Sequence, residues 1–77
     1  MPTTYLITGA TRGIGRALLR MLAARGDTVL GTHRRAEDAA QIRADGGEAW
    51  LLDVEREDSI AALGAGLASR PIEVLVN

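Results

Sequence analysis

The residues best suited to chemistry sit in one short run, Thr8-Gly9-Ala10-Thr11-Arg12-Gly13-Ile14-Gly15. An apolar stretch, Tyr5-Leu6-Ile7, precedes it, and a helical pattern opens near Ile14. Strand, glycine turn and helix N-terminus together make a cradle for phosphate. Such a helix end presents unpaired N–H groups and about half a positive charge. Glycine permits positive φ and lets the backbone approach an anion closely. Gly9 suits the sharp turn out of the strand, Gly13 the approach of a pyrophosphate, and Gly15 close packing of the helix. The Thr11 hydroxyl is placed to donate to a phosphate oxygen. The same residues would also serve as a plain glycine-rich turn without a ligand.

The spacing, Gly-x-x-x-Gly-x-Gly, differs from the Gly-x-Gly-x-x-Gly dinucleotide fingerprint, and no Gly-Lys-Ser/Thr follows as in a P-loop. A second chemical feature is the basic run His33-Arg34-Arg35. A third is Asp53-Val54, and the chain reaches Asn77 after Val74-Leu75-Val76. All nine basic residues are arginine, so no lysine is available for catalysis. The absence of cysteine excludes disulfides and thiolate metal sites, and a single histidine argues against a histidine-based metal centre.

Composition narrows the class. Seventy-seven residues make at most one small domain, and 47% hydrophobic residues are too many for a disordered chain. A net charge of −1 offers no attraction to nucleic acid or to a membrane surface. No apolar run approaches the ~18 residues of a membrane span. Met1-Pro2-Thr3-Thr4 carries no basic residue before the apolar stretch, unlike a secretory signal. A cytoplasmic protein is expected.

The elements that must position these residues alternate along the chain. Strand 1 is expected at Thr4–Thr8 and the first helix at Gly13–Arg25, with Ile14, Leu18, Met21 and Leu22 as its apolar face and Leu19 widening it. Gly26 fits the residue that ends this helix. Strand 2 is expected at Thr28–Thr32, where Gly31 leaves room either for an adenosine or for packing. A helix over Ala36–Asp45 stops at Gly46-Gly47. Strand 3 covers Glu48–Leu52, with Trp50 packing against the outer helices. The next helix has Asp58-Ser59 in its first turn, runs to about Ser69 and buries Ile60, Leu63 and Leu67. Strand 4 is Ile72–Val76. This β-α-β-α-β-α-β order predicts an α/β Rossmann-type fold: a doubly wound parallel sheet in the order 3-2-1-4. The glycine turn then falls beside the switch point between strands 1 and 4, where such sheets bind ligands.

Taken together, the glycine motif at 8–15, the basic turn, Asp53-Val54 and Val74-Leu75-Val76-Asn77 resemble the classical short-chain dehydrogenase/reductase family across all 77 residues. The general tone is similar to its small carbonyl-reductase and C-factor-like branch. The resemblance implies an NAD(P)(H)-dependent oxidoreductase acting on a small carbonyl or alcohol substrate, homo-oligomeric in its full-length form, with no nucleic-acid or membrane partner. It implies a cofactor site drawn from Gly9, Thr11, Arg12, Gly13, Ile14, Gly15, His33, Arg34, Asp53, Val54 and Asn77.

Within that site the resemblance gives Asp53 a hydrogen bond from the adenine amino group, although Asp53 would equally cap the following helix. Val54 offers its backbone to the same ring. Asn77 matches the first asparagine of the family's Asn-Asn-Ala-Gly, in a structural or a ribose-contacting role. His33 neighbours the cofactor and is no catalyst. Where NAD-preferring proteins place an acid at the end of strand 2, this chain has His33-Arg34-Arg35. Arg34, with Arg12, therefore points to NADP(H) over NAD(H), through a guanidinium on the 2′-phosphate. The alternative for both is a solvated turn, which is the reading taken for Arg35.

The family's serine, tyrosine and Tyr-x-x-x-Lys lie beyond strand 4, and the lone tyrosine here is Tyr5. Residues 1–77 are accordingly expected to be an NADP(H)-binding half-domain, the N-terminal portion of a longer protein and inactive by itself. A non-catalytic NADP(H)-binding or redox-sensing module is the second reading.

Overall fold

Parallel strands need long crossovers, and here helices supply them. The computed structural model describes residues 3–53, 55–68 and 70–76. Its elements are β1 (Thr4–Ile7), α1 (Gly13–Ala24), β2 (Thr28–His33), a 3-10 turn (Ala36–Asp38) leading into α2 (Ala39–Ala44), β3 (Glu48–Leu51), α3 (Glu57–Leu67) and β4 (Val74–Val76). All strand pairs are parallel, and the sheet order is β3-β2-β1-β4, as the alternation predicts.

The register aligns Val76, Ile7, Gly31 and Ala49 in one row across the sheet. That row lies under α1 and α2, and the core is built on it. Ile7, Ala10, Leu19, Leu22, Val29 and Ile42 form the buried cluster. Gly31 is glycine because helices crowd it: a Cβ there would lie 2.9 Å from Leu19 Cδ1 and 3.0 Å from Ala10 Cβ. The space beside Gly31 is thus a packing contact and holds no room for an adenosine.

The apolar face of α1 is rotated from the expected one. Leu19 and Leu22 are buried, whereas Ile14 is 87% and Met21 54% exposed. The cause is Gly15, whose missing side chain lets the first turn of α1 rest on the Gly9 carbonyl. With Gly15 facing inward, Leu19 and Leu22 follow at i+4 and i+7, and Ile14 points to solvent. The helix ends in a Schellman motif: Gly26, at φ +91°, donates to Ala23 O, and Asp27 donates to Leu22 O.

Beyond this cluster, α3 covers the opposite face of the sheet, and only in part. None of its described residues is fully buried, and Ile60 is 48% exposed. Trp50 does pack on an outer helix, against Gly66, where a Cβ would approach the ring Cη2 to 3.1 Å. Leu75 on β4 is 60% exposed. No helix among the described residues is long and apolar enough to cross a membrane, and they hold no group of three metal-ligating side chains.

An ion-pair clip joins α2 to α1. Asp45, its side chain 8% exposed, accepts from Arg16 Nε at 2.8 Å, with Arg20 Nε at 3.8 Å. The Arg16 hydrogen bond holds the Asp45 carboxyl below its usual range. A depressed pKa stabilises the fold above the unfolded value of about 3.9 and loses that stabilisation as the pH falls through the folded value. Asp45→Asn is therefore expected to lower the melting temperature at pH 6. The gap to wild type should close as the pH drops well below 4. A gap that persists at low pH would show that the charge is not what stabilises this contact.

Candidate functional site

The carboxyl ends of β1 and β2 open onto one cleft of about 690 Å³. The glycine turn contributes Thr8, Gly9, Thr11 and Arg12, and the basic turn contributes Thr32, His33, Arg34, Arg35 and Asp38, with Leu52 beside them. The sheet builds this proximity: β1 and β2 are neighbours in register, so their outgoing turns emerge side by side.

In the glycine turn, Gly9 and Gly13 both take positive φ, at +68° and +64°. A Cβ on either would meet nothing within 4 Å. Glycine at 13 is therefore required by conformation, and it leaves open space against the helix end. Arg12 occupies the N-cap of α1 with extended backbone and makes no side-chain cap. No acidic residue sits in the first turn of α1. By contrast, α3 carries Glu57 and Asp58 in its first turn, and the 3-10 turn carries Glu37 and Asp38. The dipole and orphan donors of α1 thus stay uncompensated by the chain itself.

Eight of the nine arginines fall into two sets, Arg43 belonging to neither. Arg16, Arg20, Arg25, Arg56 and Arg70 make ion pairs. Arg12, Arg34 and Arg35 make none among the described residues, and all three line the cleft. Asp38 is the one carboxylate in that lining. The cleft is consequently basic, and Arg35, which is exposed as a solvated turn residue would be, lines it with the others.

His33 is buried, at 8% exposure, and extends β2 one residue past the expected end, its carbonyl accepting from Leu52 N–H. Its Nδ1 lies 2.9 Å from the Arg35 carbonyl oxygen. A carbonyl only accepts, so Nδ1 carries the proton and the ring braces the basic turn. Asp53 follows Leu52 at the edge of the cleft. One of its carboxylate oxygens accepts from Glu55 N–H, its N–H donates to Ser59 Oγ, and its carbonyl accepts from Arg56 N–H. It orders the turn into α3, while the N-cap position of that helix is Arg56. Ile14 stands exposed in the first turn of α1. Val54 and Asn77 lie outside the described residues. Sequence reasoning missed Thr32, Asp38 and Leu52, which carry no local motif and reach the cleft only through the sheet.

A parallel α/β sheet with a phosphate-type turn at the end of its first strand defines a nucleotide-binding fold of Rossmann type. The sequence profile of the short chain dehydrogenase family matches residues 3–77. The chain belongs to the short-chain dehydrogenase/reductase family, whose members bind a nicotinamide cofactor. It is 42% identical over 84 residues to serine 3-dehydrogenase of Agrobacterium fabrum, covering 100% of this chain and 33% of that protein. It is 38% identical to the 3-oxoacyl-acyl-carrier-protein reductase FabG of Escherichia coli, covering 94% of this chain and 32% of that one. Among solved structures, a short-chain dehydrogenase from Streptomyces avermitilis superposes with a TM-score of 0.84 at 39% identity, covering 100% of this chain and 30% of that one. The chain spans a third or less of the length of these relatives. They do not single out the carbonyl-reductase or C-factor-like branch.

Proposed function

We propose that this chain is the NADP(H)-binding portion of a cytoplasmic oxidoreductase that exchanges hydride with a small alcohol or carbonyl substrate. The observation that carries the cofactor choice is the set of unpaired arginines in a cleft that also holds an uncapped helix N-terminus. The open space at Gly13 fits a pyrophosphate, as a dinucleotide site requires. In this reading the N–H groups of Gly13, Ile14 and Gly15 and the Thr11 hydroxyl hold the pyrophosphate, with Gly9 shaping the turn. Arg34 and Arg12 hold the 2′-phosphate, and His33 keeps the basic turn in place. Asp53 and Val54 bound the adenine, and Asn77 supports the ribose side. The nicotinamide supplies the hydride chemistry when bound. The relatives are named as dehydrogenases and reductases, which favours an enzyme over a non-catalytic sensor.

The test is a pair of titrations, NADPH and NADH, on wild type and Arg34→Ala. A hydrogen bond to a charged group is worth ~1.5–3 kcal/mol. Removing Arg34 is therefore expected to weaken NADPH binding by roughly ten- to a hundredfold and to leave NADH nearly unchanged. Arg34→Asp should invert the preference. Equal wild-type affinities, or equal losses for both cofactors, would exclude Arg34 as the phosphate ligand.

A further inference from the structure

Gln41 belongs to neither turn of the cleft, yet its side chain ends on one of them. From α2 its Nε2 donates to the Thr11 carbonyl oxygen at 2.5 Å, across 30 positions of sequence. The same amide helps hold the Asp45 carboxyl low, and Asp45 is the group that Arg16 and Arg20 clip from α1. Thus α2 grips the helix and its leading turn at two points.

The Thr11 carbonyl is half of the peptide unit whose other half is the Arg12 N–H. No peptide bond among the described residues is cis, so C=O and N–H in this unit point in opposite directions. Anchoring the oxygen toward α2 turns the Arg12 N–H away from α2. Gly13 follows at once, and glycine gives this segment little torsional resistance of its own. Released, the peptide could rotate and offer an anion a carbonyl oxygen in place of a donor.

We infer that Gln41 is a positioning residue of the anion cradle, locking the Thr11–Arg12 peptide in the orientation that receives a dinucleotide pyrophosphate. This rests on the dinucleotide reading of the cleft. Because α2 continues directly from the basic turn, the same hydrogen bond ties the two halves of the cleft together.

The experiment uses two variants of the intact protein. Gln41→Leu keeps the volume and removes the donors. Gln41→Glu supplies a carboxyl that donates to the Thr11 carbonyl only when protonated. Its charged surroundings are Asp45 on α2 and Arg16 and Arg20 on α1. Titrations with NADPH and NADH are expected to show both affinities weakened about two- to tenfold by Gln41→Leu, the range one neutral hydrogen bond supports, with their ratio unchanged. An unchanged ratio separates this effect from that of Arg34. Gln41→Glu should lose the same affinity at pH 8 and regain it, relative to wild type at each pH, as the pH falls and the carboxyl protonates. That pH profile also keeps the inference testable if Gln41→Leu does not fold. Lower melting temperatures with wild-type dissociation constants at every pH would overturn the inference and make Gln41 a purely structural contact. Wild type that binds neither dinucleotide would overturn the cleft reading, and this inference with it.

Discussion

Gly13→Val is expected to abolish dinucleotide binding while the protein stays folded. The two parts of that expectation have separate causes. Binding fails because the new side chain fills the open space at position 13 beside the α1 N-terminus, where a Cβ now meets nothing within 4 Å. Losing two hydrogen bonds to a charged group, at ~1.5–3 kcal/mol each, weakens affinity by about a hundredfold to ten-thousandfold. Folding survives because nothing in the free chain occupies that space. The cost is conformational only: φ is +64° at this position, and a left-handed residue other than glycine costs roughly 1–2 kcal/mol. Titration of the folded variant with NADPH checks this. An unchanged dissociation constant would reduce the glycine turn to a structural connection.

Gly15→Val, two residues on, should do the opposite and break the fold. A Cβ here overlaps the Gly9 carbonyl oxygen and lies 3.1 Å from the Gly9 carbonyl carbon. Both are backbone atoms of the turn that leads into α1, so no side chain can swing aside. Relief requires α1 to lift from the turn, which pulls Leu19 and Leu22 out of the core. Overpacking of this kind costs about 3 kcal/mol or more where backbone must move. A chain of this size has roughly 4–12 kcal/mol of stability in all. Thermal melts followed by circular dichroism should show Gly15→Val far below both wild type and Gly13→Val. A Gly15 variant melting beside wild type would mean that the Gly9–Gly15 contact does not set the position of α1.

The two glycines look alike in the motif and differ entirely in what they do. The motif marks both as small, because it registers only that a side chain is not tolerated. Gly13 is glycine because of its φ, beside open space that the proposed pyrophosphate would use, and Gly15 because of an inside contact.

Other particulars divide the same way. The alternation of short apolar runs with helical stretches predicts the sheet order, because crossovers between parallel strands have one hand and few routes. Helix ends were legible at Gly26, where a left-handed residue is required locally. The face of α1 was not. Ile14 and Met21 fit the helical period as well as Leu19 and Leu22 do, and periodicity leaves the phase of a helix open by a residue. The contact between Gly15 and Gly9 closes that choice. Asp53 reads from sequence as either an adenine ligand or a cap, and the fold shows it ordering the turn before α3.

What the chain by itself determined, then, is where it turns and what each turn is made of: three glycines after β1, and the run His33-Arg34-Arg35 at the end of β2. Those are local properties, carried by neighbouring residues and their torsions. What the tertiary structure alone decided is which charges remain available. Arg16 is taken by Asp45, 29 positions away, whereas Arg12, four residues earlier, is left facing the cleft beside Arg34. An ion pair needs two side chains within a few ångströms, and only the folded packing of α2 on α1 brings that carboxylate to Arg16 and not to Arg12.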